Sequence, residues 1–192
     1  MSQTNQAALD FMLTRRSYPA QALNAPVPDR DQLRTILTAA SRSPDHGKLE
    51  PWRFIVLGRD ALQAIADALP AEGKRIGIPQ DKIDKPVMTY SGAQLAVVVV
   101  CSPKDSEKVP QTEQVYAVGG VCLGLVNAAL ASGFGATWLS GWFSHNRDFI
   151  RDQFNLADHE TVAGIVHIGT CANTPSDRPR PDIDAITDWS AL

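Results

Sequence analysis

Between Val115 and Ala131 the chain reads VYAVGGVCLGLVNAALA, almost uniformly apolar and punctuated by Gly119, Gly120, Gly124 and Asn127. A helix of this composition has no face for water, so it must be covered on nearly every side, by strands or by a second subunit. A bilayer span needs about 20 predominantly apolar residues. This stretch is too short and too rich in small residues for one, and its flanks, Glu113-Gln114 and Ser132-Gly133, suit a buried central helix. Its glycines would let another backbone approach closely. No membrane contact is expected.

Around this helix the sequence alternates helical and extended signals. Leu33, Ile36, Leu37 and Ala40 recur at helical spacing after Val27-Pro28-Asp29 and stop before Ser43-Pro44, which marks an amphipathic helix with a sharp end. Phe54 to Leu57 reads as a short buried strand, and Ala61 to Leu69 as a second amphipathic helix with Leu62, Ile65, Ala66 and Leu69 on one face. Pro70 to Tyr90 mixes Lys74, Arg75, Lys82 and Lys85 with Asp81 and Asp84; it reads as a mobile surface segment, helical in part, that could cover a site. Leu95 to Cys101 (LAVVVVC) is a β-branched run of the kind buried on both faces. Ala136 to Ser140 and Val162 to Thr170 are further strands, separated by a polar helix around Asp148 to Phe154. The tail from Asn173 to Leu192 keeps Ile183, Ile186, Trp189 and Leu192 among its prolines and charges, too apolar for a disordered end. An arm packed on the body or on a partner chain is expected.

Several functions are excluded early. A chain of 192 residues with 44% hydrophobic content fits one domain spanning residues 1–192. Its net charge of −3, with scattered basic residues, gives no stripe for nucleic acid. The N-terminus lacks the charged start and apolar stretch of a secretory signal, so a cytoplasmic location is expected. Cys101, Cys122 and Cys171 are odd in number, far apart and in apolar surroundings, the pattern of buried thiols. His46, His145, His159 and His167 show no ligand spacing, and no metal site is expected. Gly119-Gly120-x-x-x-Gly124 and Gly133-x-Gly135 both lack the third glycine of a dinucleotide-binding fingerprint. Phosphate-loop and nucleophile-elbow motifs are missing as well.

Arg15, Arg16 and Ser17 gather where the first apolar segment (Ala7, Ala8, Phe11, Met12) loses its period and Pro19 forbids further helix. Forked guanidiniums and a hydroxyl suit phosphate oxygens; a solvated helix end explains the same three residues when they are taken alone. Arg42 can likewise be a helix C-terminal cation and His46 a loop histidine.

The ordered series Arg15-Arg16-Ser17, Ser43-Pro44-Asp45-His46, Pro51-Trp52-Arg53-Phe54, the Leu95 to Cys101 strand, the glycine-dotted helix and Gly133-Phe134-Gly135-Ala136-Thr137-Trp138 resembles the FMN-dependent nitroreductase family over nearly the whole chain. The resemblance implies an α+β, three-layer sandwich whose central, mostly antiparallel sheet is flanked by helices. It further implies an intertwined homodimer with FMN at the subunit interface and residues 173–192 as an extended C-terminal arm. Arg15 and Ser17 would hold the FMN phosphate, with Arg16 nearer the ribityl chain or pyrimidine edge. Arg42 and His46 would approach from the other subunit, and Trp138, Leu139 and Ser140 would lie along the isoalloxazine. Ala128, Ala129, Leu130, Ala131, Ser132 and Gly133 would meet the nicotinamide nucleotide. Lys48 and Glu50 stand where the family commonly has Asn and Gln, and Leu139 where an arginine can occur, so polar recognition of the ring edge differs here.

The implied activity is a two-step exchange in which NADH or NADPH gives hydride to flavin N5 and leaves before a nitroaromatic, quinone or similar acceptor takes its place. No side chain acts as nucleophile. Relatives on the same scaffold that fragment flavin or remove halogen need a lid, for which only Lys74 to Lys85 is available. A flavin-binding redox module without turnover is the non-enzymatic alternative.

Overall fold

A computed structural model of the chain describes residues 3–190. The β-branched run forms strand β2 (Leu95–Cys101), buried along its whole length. It pairs antiparallel with β1 (Trp52–Gly58) on one side and β4 (Thr161–Gly169) on the other, and β4 pairs antiparallel with β3 (Gly135–Leu139). The sheet order is β1-β2-β4-β3.

Alternation along β2 feeds two cores. Ala96, Val98 and Val100 point to the layer of helices α3 (Arg59–Arg75), α4 (Gln80–Gly92) and α6 (Arg147–Phe154), where they meet Leu62, Leu69, Tyr90 and Phe149. Val97, Val99 and Cys101 point to α2 (Arg30–Ala40) and α5 (Gln111–Ala131), against Ile36, Val121 and Leu125. With α1 (Gln6–Thr14) at the margin, this is the expected α+β sandwich. Asp29 opens α2 as a capping box: its carboxylate accepts the Gln32 N–H at 2.8 Å while the Gln32 side chain accepts the Asp29 N–H at 3.0 Å. The far end of the sheet is tied by Glu160, whose carboxylate receives Arg53 Nε and Nη2, each at 2.7 Å, and is held down at about 2, chiefly by those hydrogen bonds.

The central helix shows why its sequence is so small and so apolar. Val118, Val121, Cys122 and Leu125 are fully enclosed, and a side chain at Gly124 would press to 3.2 Å from the Ala40 carbonyl, so α2 and α5 cross with backbones close together. Its other side is uncovered by this chain: Tyr116 is 73% exposed and Val115 and Leu123 each 48%.

Three expectations need correction. Phe54 to Leu57 lies in β1, but as a sheet edge: only Leu57 is buried and Val56 faces solvent. Pro70 to Tyr90 is helical, as expected in part, but over most of its length and packed on the core instead of free at the surface, because α3 runs through Pro70 to Arg75 and α4 through Pro86. An interior proline costs about 3 kcal/mol; burial of Leu69, Ile83 and Tyr90 in and between the helices offsets that cost. Cys101 and Cys122 are buried thiols as expected, but Cys171 is partly exposed, its Sγ 3.3 Å from the Asn173 carbonyl. The arm is held on this chain by Arg16 at Ser176 and Asp177, whereas Ile183, Ile186 and Trp189 are exposed on it, and Leu192 lies outside the described residues.

Candidate functional site

The arginine pair is set at the end of α1, where the Arg15 N–H donates to the Phe11 carbonyl at 2.8 Å and the backbone turns extended. The Tyr18 N–H then donates to the Ala136 carbonyl at 3.0 Å, and Asn24 exchanges two 2.8 Å bonds with Thr170, so the segment runs along the outer edge of β3. Arg15 Nη2 donates to Ser17 Oγ at 3.1 Å. Its Nε is buried and has no partner. Arg16 reaches the tail, donating to the Ser176 carbonyl and lying 3.5 Å from Asp177 Oδ1. Arg15 and Arg16 line a cavity of about 250 Å³ closed by Tyr18, Leu130, Gly133 and Thr174.

Charge there is unbalanced. Burial first, then the positive fields of Arg180, Arg16 and Arg178, hold the Arg15 guanidinium below its ordinary value. Asp177 pairs with Arg16 and, at 2.9 Å, with Arg180. Four cations around one engaged carboxylate, with a buried donor left over, make a cradle whose missing element is an anion with several acceptor oxygens. Arg178 and Arg180 were not among the residues singled out from the sequence. Their signal was the Arg-Pro-Arg of the tail, where proline fixes the chain between two cations.

The other candidates lie apart. Leu139 and Ser140, at the end of β3, line a second cavity of about 250 Å³ facing α4. Trp138 projects to the opposite face of the sheet, its indole lying over Gly164, where any side chain would collide with it. The Trp138 side chain therefore does not line the cavity that Leu139 and Ser140 border. Arg42 borders a groove between α2 and β1 with Arg30 and Arg34. His46 Nδ1 sits 2.7 Å from Glu113 Oε2 of α5. Next to it, Gly47, Lys48 and Glu50 all have positive φ, at 76°, 55° and 48°. For the two side-chain-bearing residues this costs roughly 1–2 kcal/mol each, and the Glu50 N–H is held by Asp45 Oδ2 at 2.7 Å. Of the run from Ala128 to Gly133, Leu130 and Gly133 face the arginine cavity, Ser132 Oγ donates back to the Ala128 carbonyl at 2.8 Å, and Ala131 is exposed. Ala129 is fully enclosed in the core. Among the described residues, no group of three His, Cys, Asp or Glu side chains could hold a metal.

The sequence profile described as "Nitroreductase family" matches residues 12–170. The chain is 31% identical over 163 residues to "Putative NAD(P)H nitroreductase YdjA" of Escherichia coli (strain K12), covering 85% of this chain and 87% of that one. It is 35% identical over 165 residues to a "Putative NAD(P)H nitroreductase" of Haemophilus influenzae, covering 85% and 88%. Its fold superposes with a TM-score of 0.73, at 18% identity, on the crystal structure of a "putative nitroreductase in complex with fmn" from Desulfovibrio desulfuricans, covering 97% and 98%. With the profile spanning most of the chain and the sandwich shared along almost all of it, the chain belongs to the nitroreductase family.

Proposed function

We propose that the protein is an FMN-dependent oxidoreductase, a cytoplasmic homodimer that passes reducing equivalents from NADH or NADPH to a small nitroaromatic, quinone or similar acceptor. The observation that carries the reading is the orphaned, buried Nε of Arg15 inside a cluster of four arginines. A flavin phosphate supplies the acceptors that this cluster lacks. The names of the two bacterial relatives and the FMN held by the Desulfovibrio protein agree with it.

In this reading Arg15 and Ser17 grip the phosphate, Arg178 and Arg180 add charge from the tail, and Arg16 lies toward the ribityl chain or pyrimidine edge. The backbone at Leu139 and Ser140 borders the ring, and no side chain acts as nucleophile. Bound flavin supplies the redox chemistry, and the protein supplies position and field. Arg42 and His46, which one chain leaves remote from Arg15, reach the site from the partner. The open edge of β1, the exposed apolar side of α5 and the uncovered Ile183, Ile186 and Trp189 of the arm are the surfaces such an intertwined dimer would bury.

One site serving both substrates in turn gives parallel double-reciprocal initial-rate plots when NAD(P)H is varied at several acceptor concentrations. Intersecting lines would show a ternary complex and contradict the sequential use of one site.

A further inference from the structure

The cavity between α4 and the turn after β3 is walled by apolar surface, chiefly Pro86, Tyr90, Leu139, Trp142 and Phe143. Trp142 and Phe143 stand edge to face, with centroids 5.7 Å apart, and Phe143 packs the same way on Tyr90 at 5.4 Å. The charged side chains that line it are Lys82 and Lys85, and no carboxylate does. Three residues apart on one helix, they share a face. Lys82 has Asp81 at 3.9 Å, an exposed pair worth little, and Lys85 forms no ion pair among the described residues.

The helix that carries both lysines is anchored. Trp142 Nε1 donates to the Lys82 carbonyl at 3.1 Å, joining the first turns of α4 to the aromatic wall, and Ile83 and Tyr90 anchor the same helix in the interior. The Tyr90 hydroxyl is buried without a partner at this wall. An apolar, aromatic slot with two ammonium groups on one side, one only weakly paired and the other without an ion pair among the described residues, is complementary to a flat ring bearing a negative charge.

We infer that this cavity selects planar aromatic acceptors carrying an anionic substituent, a carboxylate or sulfonate, with Lys82 and Lys85 on the anion and Trp142 and Phe143 beside the ring. The inference rests on the flavin reading, because Leu139 and Ser140 border both the cavity and the proposed ring position. For a nitroaromatic acid the reaction balances as ArNO2 + NAD(P)H + H+ giving ArNO + NAD(P)+ + H2O. The nitro group gains two electrons and loses one oxygen as water.

The test compares 4-nitrobenzoate with neutral 4-nitrobenzamide, as the ratio of their kcat/KM values, in the wild-type holoenzyme and in the double variant Lys82→Gln, Lys85→Gln. Intrinsic ring reactivity cancels when the two ratios are compared. The acid-to-amide ratio is expected to fall about 10-fold in the double variant, and to fall in the wild type as salt is raised from roughly 20 to 500 mM. A ratio that responds to neither change overturns the inference. So does a double variant that raises KM for NADH or NADPH while keeping its preference for the acid, since the lysines would then serve the dinucleotide phosphates. Calorimetric Kd values for the two nitro compounds on the same proteins give a readout that needs no turnover. A protein without flavin absorption that still prefers the acid, and loses the preference in the double variant, would separate failure of the redox reading from failure of this one.

Discussion

Arg15→Ala is expected to weaken FMN binding at least about 100-fold while leaving the flavin-free protein as stable as the wild type, or slightly more so. The two effects have one cause. Arg15 is partly buried, its Nε has no partner, and Arg16, Arg178 and Arg180 raise the cost of its charge. In the empty site its removal relieves repulsion; in the loaded site it removes a charge-assisted fork onto phosphate. Hydrogen bonds to charged groups contribute about 1.5–3 kcal/mol each, and about 2.7 kcal/mol corresponds to 100-fold. Arg15→Lys keeps the charge but not the planar fork and should recover only part of the affinity. Fluorescence titration with FMN and a thermal melt without it measure the two quantities. A destabilised apoprotein with unaltered FMN affinity would make Arg15 a purely structural residue.

Acidification should destabilise the fold by about 3 kcal/mol between neutral pH and pH 4, through His167. Its side chain is 1% exposed on β4, both ring nitrogens lack partners, and its ring meets Tyr90 edge-on at 5.1 Å. Burial lowers its pKa from 6.5 to about 4. Between those values the unfolded chain binds a proton that the native chain refuses, so the contribution is complete above pH 6.5 and is lost as pH falls through 4. The size follows from about 1.36 kcal/mol for each tenfold difference in proton affinity between the unfolded imidazole near 6.5 and the buried one at about 4. Glu160 acts in the same direction but lower, between its ordinary 4.5 and about 2, so the two steps separate. Urea midpoints at pH 7, 5.5 and 4.5 read the slope, and His167→Leu should flatten it. An equally steep slope in that variant would assign the acid sensitivity elsewhere.

What the sequence disclosed depended on whether the deciding interaction was local. The β-branched run of β2, the periodic face of α2 and the strand around His167 could be read directly, because burial on two faces or one is written in the residues themselves. The edge position of β1 could not: Phe54 to Leu57 are apolar whether or not another strand lies beside them, and the pairing is decided by distant residues. In α3 and α4 half-buried prolines and exposed lysines interrupt the apolar pattern and obscure the buried series Leu69, Ile83 and Tyr90. At the site, Arg15, Arg16 and Ser17 were conspicuous as a cluster, whereas Arg178 and Arg180 lie more than 160 positions away and join them only in three dimensions. The separation of Trp138 from Leu139 was available in principle, since neighbours on a strand face opposite ways.

Every role proposed for the site requires flavin that NAD(P)H can reduce, and an anaerobic absorption spectrum of the purified protein, taken before and after adding NADH and then NADPH, tests this directly. The expected result is a flavin spectrum, present as purified or after reconstitution with FMN, that bleaches on addition of either nucleotide. A colourless protein that FMN cannot reconstitute would contradict the cofactor and the roles given to Arg15, Arg16, Ser17, Arg178 and Arg180 together.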